Sequence, residues 1–308
     1  MDYMHLPVLP AETIAALDIK PDGIYVDCTL GGCGHTKLIL NSLGADGRVI
    51  GFDRDADAIN NARIAVTDQR LTVVHSHFIY AADRLSEMGI DRVDGVLFDL
   101  GVSSHQLDTA ERGFSYRFDA PLDMRMDVGD TKTAFDVVNG YSCRDIERIL
   151  RDYGEEKYAR RIAERICSVR QSKPIATTLE LAAVVADAVP AKYRLEGGSP
   201  AKRTFQAIRI EVNGELETLA GSICNMFDKL SKGGRMAIIT FHSLEDRIVK
   251  NTFASFVDPC TCPKDFPCVC GKKPIGRLAF KGSVTASDEE LKANKRSHSA
   301  RLRAAERL

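Results

Sequence analysis

Four short apolar runs in the first hundred residues, each parted from the next by helical spacing, most constrain what this chain can fold into. They are Ile24-Tyr25-Val26-Asp27, Arg48-Val49-Ile50-Gly51-Phe52-Asp53, Leu71-Thr72-Val73-Val74-His75 and Val93-Asp94-Gly95-Val96-Leu97-Phe98-Asp99. Lys37-Leu38-Ile39-Leu40 carries apolar residues into a helix that Gly44 stops. Asp55 to Ala65 puts Ala58, Ile59, Ala62 and Ala65 on one helical face. Strands separated by helices are joined by right-handed crossovers, which predicts a parallel sheet covered on both faces.

The rhythm stops near residue 105. From there to about residue 213 helical spacing dominates, in Ile146-Glu147-Arg148-Ile149-Leu150, in Ala159 to Ile166, and in Leu179 to Val189. The last of these follows a cap at Thr177 or Thr178 and ends at Pro190. Strand patterning then returns. Leu216 to Leu230 reads as a helix, Lys232-Gly233-Gly234 as its stop, and Arg235 to Phe241 as a buried strand. The expectation is an α/β core from 1–108 and 214–308, interrupted by an all-helical insert from 109–213. The 308 residues suit one large interrupted domain or two domains, and 44% hydrophobic with 28% charged residues suits a globular enzyme with a sizeable core.

A net charge of -1 leaves any attraction to nucleic acid or membrane to local patches. The first residues carry neither a basic nor an apolar leader segment, and no apolar run is long enough to span a bilayer. The nine cysteines therefore read as reduced, in a cytoplasmic enzyme without membrane attachment.

The first strand runs into Gly31-Gly32-Cys33-Gly34, a loop whose backbone can approach a ligand closely. Asp53 ends the second strand, where a carboxylate can accept both ribose hydroxyls of an adenosine. A dinucleotide fingerprint requires a further glycine, and Lys37 stands in its place. Asp27, just ahead of the glycines, suits a cationic amino-acid moiety better than a pyrophosphate. S-adenosylmethionine fits this loop better than NAD.

Longer motifs carry a more specific signal. They are His5 with Pro7-Val8-Leu9, Gly31 to His35, Phe52-Asp53-Arg54-Asp55, Asp99 to Asp108, Glu111-Arg112-Gly113-Phe114-Ser115, Pro121 to Asp127, Arg203 to Arg209, and Phe241-His242-Ser243-Leu244-Glu245-Asp246-Arg247. In these the chain resembles, nearly end to end, the bacterial RsmH (formerly MraW) methyltransferases. The resemblance implies a Rossmann-like class I methyltransferase core, with a mostly parallel seven-stranded sheet. It also implies methylation of the exocyclic N4 of a decoding-centre cytidine (1402 in ribosomal RNA numbering) in 16S ribosomal RNA of the small subunit. Its cofactor contacts, carried over by position, are Cys33, Gly34, His35, Asp53, Phe78, Asp99 and Gln106. Two positions depart from the family: Cys33 stands where glycine is common, and His105 where proline is common. A cysteine in the loop is compatible with a backbone contact if its φ is negative.

Cytosine N4 is a poor nucleophile because its lone pair is conjugated with the ring. A carboxylate accepting an amino proton would localise that pair, and Asp99, at the end of the fourth strand, is placed to do so. Amino-methyltransferases commonly continue from this position with Pro-Pro-aromatic, whereas this chain reads Asp99-Leu100-Gly101. A capping role at the strand end is the alternative. Ser104, Asp123 and His242 are secondary catalytic candidates. His242-Ser243 equally reads as a helix start, with Ser243 the cap and Asp246 at the third helical position. Phe78 suits either the adenine face or the core.

Basic residues crowd the insert, at Arg144, Arg148, Arg151, Lys157, Arg160, Arg161, Arg165, Arg170 and Lys173, with acids interleaved at helical spacing. Lys292 to Arg307 contains only one acid, Glu306, and is the better candidate for phosphate contacts. Cys260-x-Cys262 and Cys268-x-Cys270 suit a structural, tetrahedral zinc, although C-x-C is tighter than the usual C-x2-C; reduced free cysteines are the alternative. Two other functions fit parts of the pattern: an NAD-dependent oxidoreductase with a helical lid, and a non-catalytic RNA-binding module. Composition and spacing leave open a homodimer and whether naked RNA or an assembled subunit is the substrate.

Overall fold

The computed structural model describes residues 7–195, 199–263, 265, 267 and 269–308; His5 and Cys268 lie outside the described residues. The chain opens with helix α1 (Pro10–Leu17), strand β1 (Ile24–Asp27) and α2 (Gly34–Ser42). Then follow β2 (Arg48–Asp53), α3 (Ala56–Ala65), β3 (Leu71–His75), a 3-10 turn over Phe78–Tyr80, α4 (Ala81–Glu87) and β4 (Val93–Asp99). Beyond β4 it runs through α5 (Ser104–Asp108), α6 (Ala134–Gly140), α7 (Cys143–Asp152), α8 (Ala159–Arg170), α9 (Thr178–Ala188), α10 (Ala191–Leu195) and α11 (Lys202–Asn213). It returns with α12 (Leu219–Asp228), β5 (Leu230–Thr240), α13 (Ser243–Val257), β6 (Gly276–Leu278), α14 (Asp288–Ala293) and β7 (Arg301–Arg307).

Two compact units result, one of residues 1–101 with 216–308 and one of residues 102–215. The first holds a seven-stranded sheet in the order β3-β2-β1-β4-β5-β7-β6. Strands β1 to β5 pair in parallel, and β7 runs antiparallel to both β5 and β6. The order reverses between β1 and β4, so the crevice beyond their carboxyl ends is where such a sheet receives a ligand.

The strands are buried because both faces are covered. Val26, Phe52, Val96, Phe98 and Met236 pack with α12 and α13 through Ile223, Met226 and Phe253 on one face. On the other, Tyr25, Val49, Leu97 and Ile239 meet Leu17 of α1 and Ile39 and Leu40 of α2. Burying a large apolar side chain contributes about 1.5–3 kcal/mol. Gly51 in β2 has a packing role: a Cβ there would lie 2.3 Å from Leu30 Cδ2, so the missing side chain lets the loop after β1 settle onto the next strand.

Strand β5 differs from its expected start. Leu230 already pairs with Val93, the chain then swings out through Ser231 to Gly234, and pairing resumes between Arg235 and Gly95. Gly233, at φ 77°, makes that excursion possible. The second unit is helical around Ile146, Ile149, Leu150, Ile162, Ile166, Leu181, Val185 and Phe205. Four of its helices start on side-chain caps: Ser103 with Gln106, Thr133 with Asp136, Ser142, and Thr177 with Glu180. Among the described residues no helix is long and apolar enough to cross a membrane.

Candidate active site

The ends of β1, β2 and β4 bring three acids to one edge of the sheet. Asp27, closing β1, points inward. It is 1% exposed and accepts from Thr36 Oγ1 at 2.6 Å and from the Thr29 amide at 3.1 Å. Burial raises its pKa against those two hydrogen bonds. Its oxygens tie the glycine loop to the start of α2.

Asp53, closing β2, keeps an open side. Its Oδ2 accepts from the Gly31 amide at 2.8 Å and its Oδ1 from the Asp55 amide at 2.9 Å. Each carboxylate oxygen has capacity for a second donor. Burial pushes the carboxyl up to about 6, against those two amide hydrogen bonds. Gly31 turns the chain at φ 46°, and a Cβ added at Gly32 would meet nothing within 4 Å. The loop thus leaves a backbone-lined space next to an acid.

Cys33 corrects the sequence reading. Its φ is 62° and its ψ 20°, in the left-handed region that the negative-φ expectation excluded. The turn dictates this: the Cys33 amide closes on the Leu30 carbonyl at 2.7 Å, and the next residue opens α2. The thiol is fully buried beside Leu30, Ile59 and Ala62, and burial pushes it up to about 12. It is a packing group, and the side chain faces away from solvent.

Asp99, closing β4, is paired with a histidine that sequence spacing does not connect to it. His35, in the first turn of α2, is 5% exposed; its Nε2 lies 2.8 Å from the Val8 carbonyl and its Nδ1 3.4 Å from Asp99 Oδ2. Burial works against the imidazolium. The hydrogen bond and charge of Asp99, with Asp27 and the Val8 carbonyl, outweigh it and raise the His35 pKa. The Asp99 amide donates to Thr29 Oγ1 at 2.7 Å, fixing the strand end. Asp99 Oδ1 is buried and has no hydrogen-bond partner. A buried carboxylate oxygen without a donor costs about 1–3 kcal/mol, so it marks a place where a donor is missing.

Thr29, Thr36 and the His35–Asp99 pair were not singled out by pattern; they become visible only once β1 and β4 lie side by side. Phe78, after β3, stacks edge-on against Phe98 at 5.5 Å and belongs to the sheet core as well as its rim. Gly34 starts α2 tightly against Pro7, where a Cβ would come within 3.0 Å.

The remaining candidates take structural partners. His242 is the N-cap of α13, displacing Ser243 from the expected cap. Its Nδ1 accepts from the Glu245 amide, while Glu245 Oε2 reaches back to the amides of Phe241 and His242. In the helical unit, Gln106 closes the capping box of α5 through Ser103, and Ser104 and His105 are the first residues of that helix. Asp123 is gripped by Arg125 at 2.8 and 2.6 Å. Burial would raise its pKa, but Arg125 holds it below the usual carboxylate range. The C-terminal arginines are also engaged: Arg303 grips Asp246 at 2.7 Å, Arg307 meets Asp228 at 2.7 Å, and Arg301 lies 3.8 Å from Asp246. Lys292, Lys295, Arg296 and Arg301 are exposed along the stretch expected to meet phosphates. Of the cysteine cluster, Cys260, Cys262 and Cys270 bring their sulfurs within 4.8 Å of one another.

A parallel run with β7 inserted antiparallel between β5 and β6 defines a Rossmann-like class I methyltransferase. The profile of the MraW methylase family matches residues 2–308, and the chain belongs to that family. It is 53% identical to the ribosomal RNA small subunit methyltransferase H of Lachnospira eligens, over 100% of this chain and 99% of the relative. It is 51% identical to the protein of the same name from Paenibacillus sp., over 99% and 100%. A crystal structure of an rRNA methylase from Streptococcus thermophilus aligns at a TM-score of 0.42 and 11% identity, over 96% of this chain and 93% of that one. Membership in a methylase family sets aside the oxidoreductase and the non-catalytic RNA-binding module.

Proposed function

We propose that this chain transfers a methyl group from S-adenosylmethionine to the exocyclic N4 of a decoding-centre cytidine in 16S ribosomal RNA, in the cytoplasm. The methyl donor is supported by the fit of the sheet edge: two spare acceptor positions on Asp53 for the ribose hydroxyls, an open backbone space over Gly32, and acid chemistry at Asp99. When bound, S-adenosylmethionine supplies an electrophilic methyl on a sulfonium. Cys33, Gly34, His35 and Phe78 are the remaining proposed contacts on this edge, and Gln106 is a further proposed cofactor contact.

The chain's own work is orientation and proton handling. Asp53 fixes the adenosine end, so that nitrogen, carbon and sulfur align for in-line displacement. Asp99 Oδ1 accepts a hydrogen bond from the N4 amino group, which localises the nitrogen lone pair. The N–C bond then forms as the S–C bond breaks, and the proton leaves toward Asp99. His35 is a positioning residue that holds Asp99 Oδ2 so that Oδ1 faces the base. The observation that carries this reading is the buried, partnerless Asp99 Oδ1.

The helical unit supplies the RNA surface in this reading. Arg151, Arg160, Arg165 and Lys173 sit in exposed ion pairs with Glu147, Glu164, Asp187 and Glu180. Exposed pairs contribute about 0–1 kcal/mol, so phosphates can compete for these cations at small cost. Methyl incorporation into small subunits from a strain lacking the enzyme, with the product nucleoside mapped, tests the assignment. N4-methylcytidine is expected; a methyl on a ring carbon or another base overturns it. Calorimetry with S-adenosylmethionine and with NAD checks the donor separately.

A further inference from the structure

We propose that Cys260, Cys262 and Cys270 form a binding site for one thiophilic divalent cation, zinc, which clamps the surface loop between α13 and β6. Methyl transfer does not call for this ion, and the proposal stands apart from the function proposed above.

The sulfur geometry is the first observation. Cys260 and Cys270 Sγ lie 3.8 Å apart, and all three sulfurs fall within 4.8 Å of one another. Zinc holds thiolates at about 2.3 Å, and two ligands at tetrahedral angles on such an ion are separated by roughly 3.8 Å. The observed spacing is thus that of neighbouring ligands on one ion. A disulfide would bring two of the sulfurs to about 2.05 Å, and Cys260 and Cys270 Sγ lie 3.8 Å apart.

Exposure is the second. Cysteine is among the most buried residue types, yet Cys260 is exposed and Cys262 and Cys270 are half-buried. Cys28 and Cys33, by contrast, are buried in the sheet unit, and burial raises both thiols. Three cysteines gathered at a surface therefore need a reason other than apolar packing.

The loop itself is the third. It runs from the end of α13 at Val257 to the start of β6 at Gly276, longer than loops that hold themselves together without regular structure. Its base is fixed: the Ile275 amide donates to the Phe256 carbonyl at 2.9 Å and the Leu308 amide to the Ile275 carbonyl at 3.0 Å. Among its described residues none is a large buried side chain, and Val269 is 89% exposed. Coordination supplies a cross-link to this stretch. Lys272 Nζ, 3.4 Å from Thr261 Oγ1, places a cation near a centre that becomes anionic when three thiolates meet a divalent ion.

Binding balances as three thiols giving three protons while three metal–sulfur bonds form, with no change of oxidation state. Thiolate ligands select zinc over magnesium, calcium or manganese.

Cobalt(II) is the probe, because thiolate ligation gives it an intense charge-transfer band in the near ultraviolet. The reduced, chelator-treated full-length protein should take up one cobalt per chain with that band, and zinc should displace it. The Cys260→Ser/Cys270→Ser double variant should lose the band completely. Cys224→Ser, on α12, should keep it as a control for general thiol binding. Methyl transfer and circular dichroism of the double variant at low temperature report whether it folds. Absence of the band in the parent overturns the site, as does a band of unchanged intensity in a folded double variant. Neither outcome bears on the methyl acceptor.

Discussion

Adjacent strands of one sheet each end beside a histidine–carboxylate pair, and the two pairs do different things. Beyond β4, His35 Nδ1 lies 3.4 Å from Asp99 Oδ2. Beyond β5, His242 Nε2 lies 3.1 Å from Glu245 Oε1. The residue types match and the distances are close. What differs is the second carboxylate oxygen. Glu245 is 2% exposed and its Oε2 accepts two backbone amides, so the pair closes a helix start upon itself. Asp99 Oδ1 is buried and receives no donor. A histidine near an acid does not by itself make a reactive site; the two pairs differ in the unfilled acceptor, on which the role proposed for Asp99 rests.

The comparison breaks most readily at Asp99. Asp99→Asn should lower kcat for methyl transfer by about 10²-fold or more, the usual scale for losing a positioned proton acceptor, with the affinity for S-adenosylmethionine changed much less. Single-turnover kinetics with cofactor binding measured alongside would separate the two. A kcat within a factor of three of the parent would place the acceptor elsewhere.

Asp53→Ala should act on binding instead. Removing the acceptor for two hydroxyls should weaken the cofactor by about 10²-fold, since a hydrogen bond to a charged group contributes about 1.5–3 kcal/mol and the freed Gly31 amide loses its partner as well. Acidification should mimic part of this. Asp53 sits near 6, so it is ionised above that pH and protonated below it. Only the ionised form offers all its acceptors, so affinity falls as pH drops. Between pH 7 and pH 5 calorimetry should show about a tenfold rise in Kd that Asp53→Asn abolishes.

The β5 pair should answer in stability and not in rate. His242→Ala removes one half of a capping box and should cost about 1 kcal/mol, read as a lower denaturation midpoint with near-parental kcat. A large kcat loss at unchanged stability would erase the distinction between the two pairs. The smallest effect is expected at Cys33→Gly. Relief of the left-handed backbone contributes about 1 kcal/mol, and loss of the buried sulfur beside Leu30 and Ile59 costs about as much, so urea titration should find a net change under about 1 kcal/mol.

Much of the sheet was legible because its signals are local. The first four strands are short apolar runs that start after loops, and three of them end at an aspartate. Asp53 was legible for the same reason, as a strand end at a fixed offset from a glycine loop. Three features were not. The pairing of His35 with Asp99 depends on β1 and β4 being neighbours, which no spacing encodes. The cap of α13 fell one residue early, because serine is the better cap by type while the Glu245 carboxylate completes the box only around His242. The left-handed Cys33 runs against residue preference and is imposed by the turn around it.

The insertion of β7 between β5 and β6 has a consequence for how the protein is made. The helical unit is one continuous stretch of chain and can complete its core as soon as it has emerged from the exit tunnel. The sheet cannot. Until residues 301–307 appear, β5 presents a bare edge and β6 has no strand to pair with. During synthesis the nascent sheet is therefore exposed to sticking or wrong pairing until that strand is made. A chain released before it keeps an intact insert and a scaffold that is still open.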